Sequence, residues 1–446
     1  MLIHSYLEKY ARISPDKPCL IHGNRQLSYG ELSAQSSRLA CHLAVCINKG
    51  DAVLLKINDP LQQLLYFFGI IRAGGICIIL EASASDSVCR QIIEQQHIAC
   101  CITEDFILPG KKTAKLPSIT PSSFFLGAFS SGSTGTPKLI LRDHQSWTTA
   151  FPVQNRVFNL SRADTLYLCG SLSYTANLNA CLHLLYTGGT VVLSAAPIPR
   201  SWVKEIRQYK VSAVFMVPAN YKLLLKALHS PLGSITSAVS GGAKLEPSTA
   251  EELLTAFPQA VITEYYGASE LGHISCHSAK ELLKHPGSVG RAFPGASISI
   301  IDQTIWVESP YIAPAYKPKA TVGDLGEMDK NGYLYIGGRK NGLINSGGIK
   351  IVPEEVEKIL LQCPGIQTAG VGGIDDPIRG KKVCALLVRN HPGVTLETVL
   401  QHCRRRLQPQ YIPQRISFVT EIPVTAAGKI DRVRLNNRLH HIFSKP

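Results

Sequence analysis

No apolar run in this sequence is long enough to span a bilayer. The stretch from Leu61 to Leu80 comes closest, but Arg72 and Gly74-Gly75 interrupt it. Met1-Leu2-Ile3-His4-Ser5 is followed closely by Glu8, Lys9 and Arg12 and shows no apolar core of a signal peptide. There is no C-x-x-C pair among the thirteen cysteines, and their number is odd. That excludes a regular disulfide framework and leaves reduced thiols in a cytoplasmic protein as the expectation. His273, Cys276 and His277 have metal-like spacing, but no second pair of ligands stands nearby, so they read as ordinary pocket or surface residues. Acidic residues are scarce, 32 against 46 lysines and arginines, which gives a net charge of +14 and favours anionic partners. No RRM, helix-turn-helix or zinc-finger pattern accompanies that charge, so nucleic acid is not expected among them.

Strand-like and helix-like segments alternate through most of the chain. Asp51–Ile57, Ile76–Leu80, Thr190–Leu193 and Val211–Val217 read as strands, and Gln62–Ala73 and Asn177–Leu185 as helices. Such alternation predicts an α/β fold, with a large N-terminal domain of layered, mostly parallel sheets. A boundary is expected near Gly337-Gly338-Arg339-Lys340-Asn341-Gly342, after the turn Asp329-Lys330-Asn331-Gly332. Residues 1–338 would form the large domain and 339–446 a small α+β domain. Pro353 opens a helix there, with acids in its first turn and Val356, Ile359 and Leu360 on one face. Arg404-Arg405-Arg406 falls on a further helix over about 396–407; a solvated face is one reading, and a surface for coenzyme A phosphates or an acidic carrier protein the other.

The richest segment is Ser130-Ser131-Gly132-Ser133-Thr134-Gly135-Thr136-Pro137-Lys138, entered from the apolar run Phe124–Phe129. Glycines admit an anion close to backbone N–H groups, hydroxyls add donors and a lysine adds charge, which suits polyphosphate. It is not a P-loop, because Gly132 and Gly135 are too close and Pro137 stands where that motif needs glycine. Four further stations follow. Ser240-Gly241-Gly242-Ala243 could admit a flat ring, and Tyr265-Tyr266-Gly267-Ala268-Ser269-Glu270 joins an aromatic face to a carboxylate able to hold Mg²⁺. Asp324 could accept from ribose hydroxyls, and Gly428-Lys429 places a lysine near the C-terminus.

In this order the stations resemble the AMP-forming adenylating superfamily: acyl- and aryl-CoA synthetases, peptide-synthetase adenylation domains and luciferase. The resemblance also takes in Ser14–Pro18, Leu27–Leu32, Gly338-Arg339, Gly347–Glu357 and Gly428–Arg432. It implies ATP and Mg²⁺ as cofactors, and a carboxylic acid attacking the ATP α-phosphorus to give an acyl-adenylate. The loop Ser130, Ser131, Gly132, Ser133, Thr134, Gly135 and Lys138 would hold the β- and γ-phosphates. Gly242, Tyr266 and Gly267 would border adenine, Ser269 and Glu270 would lie by the α-phosphate and metal, and Asp324 would bind ribose with Arg339 nearby. The catalytic set would be Thr134, Lys138, Glu270 and Lys429, the last reaching in from a small mobile domain. Asn341 would be the hinge, and Gly347 and Gly348 would line a pantetheine tunnel.

The sequence departs from the family pattern at Asn341, where Asp or Lys is usual, at Asn345, where Lys is common, and at Leu139, where Gly is usual. The acid pocket is expected around Tyr174, Asn177 and Asn220. With no acid between Tyr174 and Asn179, an ordinary α-amino acid is disfavoured, and a fatty or aryl acid is expected. The thiol acceptor would be coenzyme A. The alternative is the phosphopantetheine arm of an acidic carrier protein, loaded by a standalone adenylation enzyme in a natural-product or siderophore pathway. A nucleotide sensor without catalysis would be expected to lack Lys429 or Glu270, and both are present. A luciferase-like oxygenase would share the first half-reaction.

Overall fold

The computed structural model describes the chain apart from residues 85, 109–111, 131–137, 340–341, 347–348, 377–379, 408, 426–427 and 444–446. It packs as two units. The first comprises Met1–Ser130, Lys138–Ile298 and Val307–Ala320, and the second comprises Thr321–Pro446 with Ser299–Trp306.

The first unit holds a nine-stranded sheet. From one edge its strands are Arg291–Ala292, Gly272–Ser278, Val261–Ala268, Ser237–Ser240, Ala213–Met216, Thr165–Leu168, Thr190–Leu193, Pro18–His22 and Arg25–Ser28. All inner pairings are parallel, and antiparallel pairings finish both edges. Thr190–Leu193, Ala213–Met216 and Ser237–Ser240 are buried along their whole length. Burial on both faces is why Thr190–Leu193 and Ala213–Met216 show no polar alternation, while Ser237–Ser240 keeps a serine at each end. The crossing helices Pro199–Gln208, Pro218–Ala227 and Pro247–Ala256 all open on proline after an extended residue. Proline's fixed φ suits the first helical turn, where its missing N–H has no partner to lose. Helix Thr175–Thr187 stops at Gly188, in the left-handed conformation at φ 91°.

A second sheet runs Cys100–Ile102, Ala52–Leu55, Ile76–Ile79, Phe124–Ser130 and Lys138–Asp143. The segment Leu27–Leu32 is a packing corner. Ser28 and Glu31 form a reciprocal capping box that starts helix Tyr29–Leu43. Buried Tyr29 donates to Gly189 O at 2.7 Å.

The second unit is α+β, as the sequence leads one to expect. Its sheet contains Ile349–Ile351, Ile344–Ser346, Gly380–Arg389 and Ile366–Asp376, with Arg415–Phe418 parallel to Gly380–Arg389. Helices Pro353–Leu361, Leu396–Arg404 and Arg432–Phe443 cover it. The hairpin of Asp324–Met328 and Leu334–Arg339 groups with this unit, so the packing division falls near residue 321. One cause is local. At Gly338, φ 152°, an added Cβ would strike Val352 and lie 2.9 Å from Glu354 Oε2, so the hairpin's end packs onto the start of helix Pro353–Leu361.

Candidate active site

The glycine-rich loop is the tip of a β-hairpin. Phe124–Ser130 enters and Lys138–Asp143 leaves, with Ser130 opposite Lys138 in the last pair. Residues 131–137, including Ser131, Gly132, Ser133, Thr134 and Gly135, lie outside the described residues, as does the side chain of Ser130. The chain leaves the loop as a strand, so an anion there gains nothing from a helix dipole. Loop N–H groups, hydroxyls and lysine charge are what remain to hold it. Lys138 Nζ sits 5.2 Å from the ring centroid of Tyr316.

Arg142 on the outgoing strand links the pieces. It is 1% exposed and donates to Ser269 O at 3.1 Å, Glu270 O at 3.3 Å and Tyr311 O at 2.6 Å. Burial lowers its pKa to about 10, and the nearby charges of Asp143 and Glu270 oppose that fall. The planar fork reaches the three carbonyls from two separate nitrogens, whereas an ammonium would have to reach all of them from one. Sequence reasoning assigns this residue no role in the site. The available signal is an arginine inside the apolar run Leu139-Ile140-Leu141-Arg142.

The Glu270 carbonyl accepts from Arg142 at 3.3 Å and from Ala313 N at 2.8 Å, and the residue is half-buried. Ser269 Oγ lies 3.4 Å from Thr175 Oγ1 at the start of helix Thr175–Thr187. Next to this turn, Gly241 and Gly242 follow strand Ser237–Ser240. A side chain at Gly241 would meet the ring of Tyr265 at 2.7 Å. At Gly242, φ +84°, it would run into the hydroxyl of Tyr174. Tyr174, Gly242, Tyr266, Gly267, Ser269 and Glu270 therefore gather where parallel strands end, at the carboxyl edge of the sheet. Glu264 fastens this edge from below, accepting from Leu245 N and from His277 Nε2 at 2.7 Å.

The other expected pocket residues are engaged locally. Asn177 is buried and donates to Ser171 O at 2.8 Å, and Asn220 Nδ2 lies 3.3 Å from Cys169 Sγ. His273, Cys276 and His277 diverge along one strand. His277 pairs with Glu264, burial raises the Cys276 thiol to about 12, and His273 faces the interior. Among the described residues no group of three or more His, Cys, Asp or Glu could hold a metal. Glu270 alone is the kind of ligand Mg²⁺ takes when phosphate oxygens supply the rest.

Burial lowers both His183 and His273 to about 3, with the Arg142 charge adding to the fall at His273 and the neighbouring His273 ring adding to it at His183. Their pKa is depressed in the folded state, so the unfolded chain binds more protons between about pH 6.5 and 3. Stability from these neutral rings is complete above about 6.5 and is lost as pH falls. The expected slope is about 1.4 kcal/mol per histidine per pH unit. Urea midpoints at pH 7.5 and 5.0 check it, and equal midpoints would contradict it.

In the second unit, Asp324 is 4% exposed and stands directly opposite Arg339 across the hairpin. Fifteen residues apart in sequence, the two are register neighbours. Lys429 is exposed on a tight turn closed by the Val424–Ile430 bridge, with Thr425 N donating to Lys429 O at 2.7 Å. Just beyond it, Arg432 is anchored to Glu357, to Glu354 at 2.9 Å and to Val371 O at 3.0 Å. The Glu357 side chain is 8% exposed. Losing a partner of a fully buried pair costs about 3–5 kcal/mol; with the Arg432 side chain 31% exposed, Arg432→Met should destabilise this unit by less than that. Limited proteolysis of the second unit reads the effect, and unchanged resistance would refute it. Asn341, Gly347 and Gly348 lie outside the described residues, and of Arg339 only the backbone is described.

Comparison with known proteins decides the family. The AMP-binding enzyme model matches residues 7–123 and 109–317, and the AMP-binding enzyme C-terminal domain model matches 355–429. The chain belongs to the AMP-binding enzymes. This family member is 28% identical over 98% of its length to the uncharacterized acyl–CoA ligase YhfT of Bacillus subtilis, covering 98% of that protein. It is 25% identical over 95% of its length to Enterobactin synthase component E of Escherichia coli, covering 92% of it. Its fold is that of o-succinylbenzoate coenzyme A synthetase (MenE) from Bacillus subtilis in complex with AMP. That match has a TM-score of 0.86 at 22% identity and covers 97% of each chain.

Proposed function

We propose that the protein activates a carboxylic acid with ATP and passes the acyl group to coenzyme A. The observation that carries this reading is the gathering of Gly242, Tyr266, Ser269 and Glu270 at one sheet edge in an AMP-binding enzyme. The likeness to an acyl–CoA ligase over nearly the whole of both chains supports the thiol step. The fold relative MenE has been solved with ATP and a magnesium ion.

In the first half-reaction a carboxylate oxygen bonds to the α-phosphorus and the bond to pyrophosphate breaks. Lys138 and the loop 130–138 hold the departing β- and γ-phosphates. Tyr266 packs on adenine beside Gly242, and Asp324 accepts from ribose hydroxyls with Arg339 adjacent. Ser269 and Glu270 face the α-phosphate. Magnesium bound between Glu270 and the phosphates supplies charge neutralisation. Lys429 brings a positive charge to the developing anion. In the second half-reaction the thiol sulfur bonds to the acyl carbon and AMP leaves. We place the functional division between residues 1–338 and 339–446, with Asn341 as the hinge and Gly347 and Gly348 along the pantetheine path. All thirteen cysteines are unpaired, which fits a reducing cytoplasm as the place of action.

The net charge of +14 favours a second acceptor, the phosphopantetheine arm of an acidic carrier protein. Offering coenzyme A and a phosphopantetheinylated carrier protein to the same adenylating mixture separates the two. The expected product is the coenzyme A thioester. Acylation of the carrier alone would overturn that choice of acceptor.

A further inference from the structure

The turn over residues 241–245 joins strand Ser237–Ser240 to helix Pro247–Ala256. Gly241 and Gly242 have no room for side chains against Tyr265 and Tyr174, so the face they present is bare backbone. Where that face stands depends on what grips the backbone. Lys244 is exposed, and its Nζ donates to Gly287 O at 2.8 Å. Leu245 is fully buried, and its N–H donates to Oε1 of Glu264. A bond to a buried acceptor resists water in a way that the lysine's does not.

Glu264 is itself firmly placed. It is 2% exposed, and it pairs with Ser240 in the parallel register on one side and with His277 in the antiparallel register on the other. Its Oε2 accepts from His277 Nε2 at 2.7 Å, while His277 Nδ1 has no hydrogen-bond partner. Each carboxyl oxygen thus has its own partner, and the group acts as a peg for Leu245. Two residues further along the same strand stands Tyr266. One carboxyl group therefore ties the strand that carries Tyr266 to the turn that carries Gly242. A flat ring between two walls gains from both only at close contact, and a gap of about 0.5–1 Å forfeits roughly a quarter to a half of the attraction.

We infer that Glu264 is a positioning residue for the base of the nucleotide. Held by His277 and acting through Leu245 N, it sets the spacing between Gly242 and Tyr266. This rests on the acid-activating reading given above, in which those two residues border adenine, and adds to it a residue that does not touch the ligand. Affinity for an adenine nucleotide should then depend on Glu264, whereas affinity for a polyphosphate without a base should not.

The test is calorimetric titration of the full chain with AMP and with inorganic tripolyphosphate, alongside thermal midpoints. Glu264→Leu leaves Leu245 N without an acceptor and should weaken AMP binding by about 10- to 100-fold, the range of one buried hydrogen bond, with tripolyphosphate unaffected. Glu264→Gln keeps an acceptor for Leu245 N and should restore most of the AMP affinity. Should Glu264→Leu fold poorly, Glu264→Asp draws the acceptor back by one methylene and should weaken AMP binding in the same direction. A lowered thermal midpoint with AMP affinity untouched would mean that the carboxyl group serves the fold alone, and would overturn the inference. Equal weakening of both ligands, or no recovery in Glu264→Gln, would also overturn it while leaving acid activation intact. No AMP binding by the parent protein would count against the nucleotide site itself, and the inference would fall with it.

Discussion

Changing Lys429 to alanine is expected to lower acid-dependent pyrophosphate release by about 10²- to 10³-fold, the usual cost of one transition-state charge partner. Conversion of supplied acyl-AMP to thioester should remain within a few-fold of the parent protein. The split follows from the turn that presents the residue. Lys429 is exposed, its backbone is pinned to Thr425, and Arg432 behind it is locked to Glu354 and Glu357. Removing the side chain therefore removes a charge and leaves the turn in place. In the proposed mechanism the lysine serves the step in which charge builds on the α-phosphate. The thiol step needs the adenylate bound but no help in expelling pyrophosphate. Equal loss of both half-reactions would contradict the role. Loss confined to thioester formation would place Lys429 in the second step instead.

The second large effect is expected at Arg142. Arg142→Lys keeps the charge but cannot span carbonyls on Ser269, Glu270 and Tyr311. Each buried carbonyl left without a donor costs about 1–3 kcal/mol, so Arg142→Met should be less stable than Arg142→Lys, since it serves none. The functional consequence should run through Glu270. With one of the two bonds to its carbonyl gone and that from Ala313 N left, Glu270 is held less firmly, and misplacement of about 1 Å can cost about 10²-fold in rate. Arg142→Lys should then show a reduced kcat together with a higher Mg²⁺ concentration for half-maximal rate. A purely structural arginine would lower the thermal midpoint without moving the Mg²⁺ dependence, and that outcome would remove it from the site.

Much of this site is legible in the sequence because the chemistry is concentrated in short contiguous segments. Tyr266-Gly267-Ala268-Ser269-Glu270 is a strand end and its turn, so its members stay together by covalent connection alone. The strands at Thr190–Leu193 and Ile76–Ile79 are equally readable, since fully buried parallel strands are bare apolar runs. Other features depend on contacts distant in sequence. Arg142 meets carbonyls 127 to 169 residues away, and no local pattern announces that. Asn177, which the sequence assigns to the acid pocket, also donates to Ser171 O in the preceding loop. Gln154 and His273 meet across 119 residues, and the sequence marks His273 only by its spacing to Cys276 and His277. The division near residue 321 is also hidden. The glycines around 337–342 are the conspicuous break in composition, while the Asp324–Arg339 hairpin packs with the second unit.

The most direct test of acid activation is exchange of labelled pyrophosphate into ATP, run with and without each acid of a broad carboxylic-acid panel. The account predicts acid-dependent exchange with at least one acid, and AMP as the nucleotide product once coenzyme A is added. No acid-dependent exchange across the panel, or ADP and inorganic phosphate as products, would contradict it.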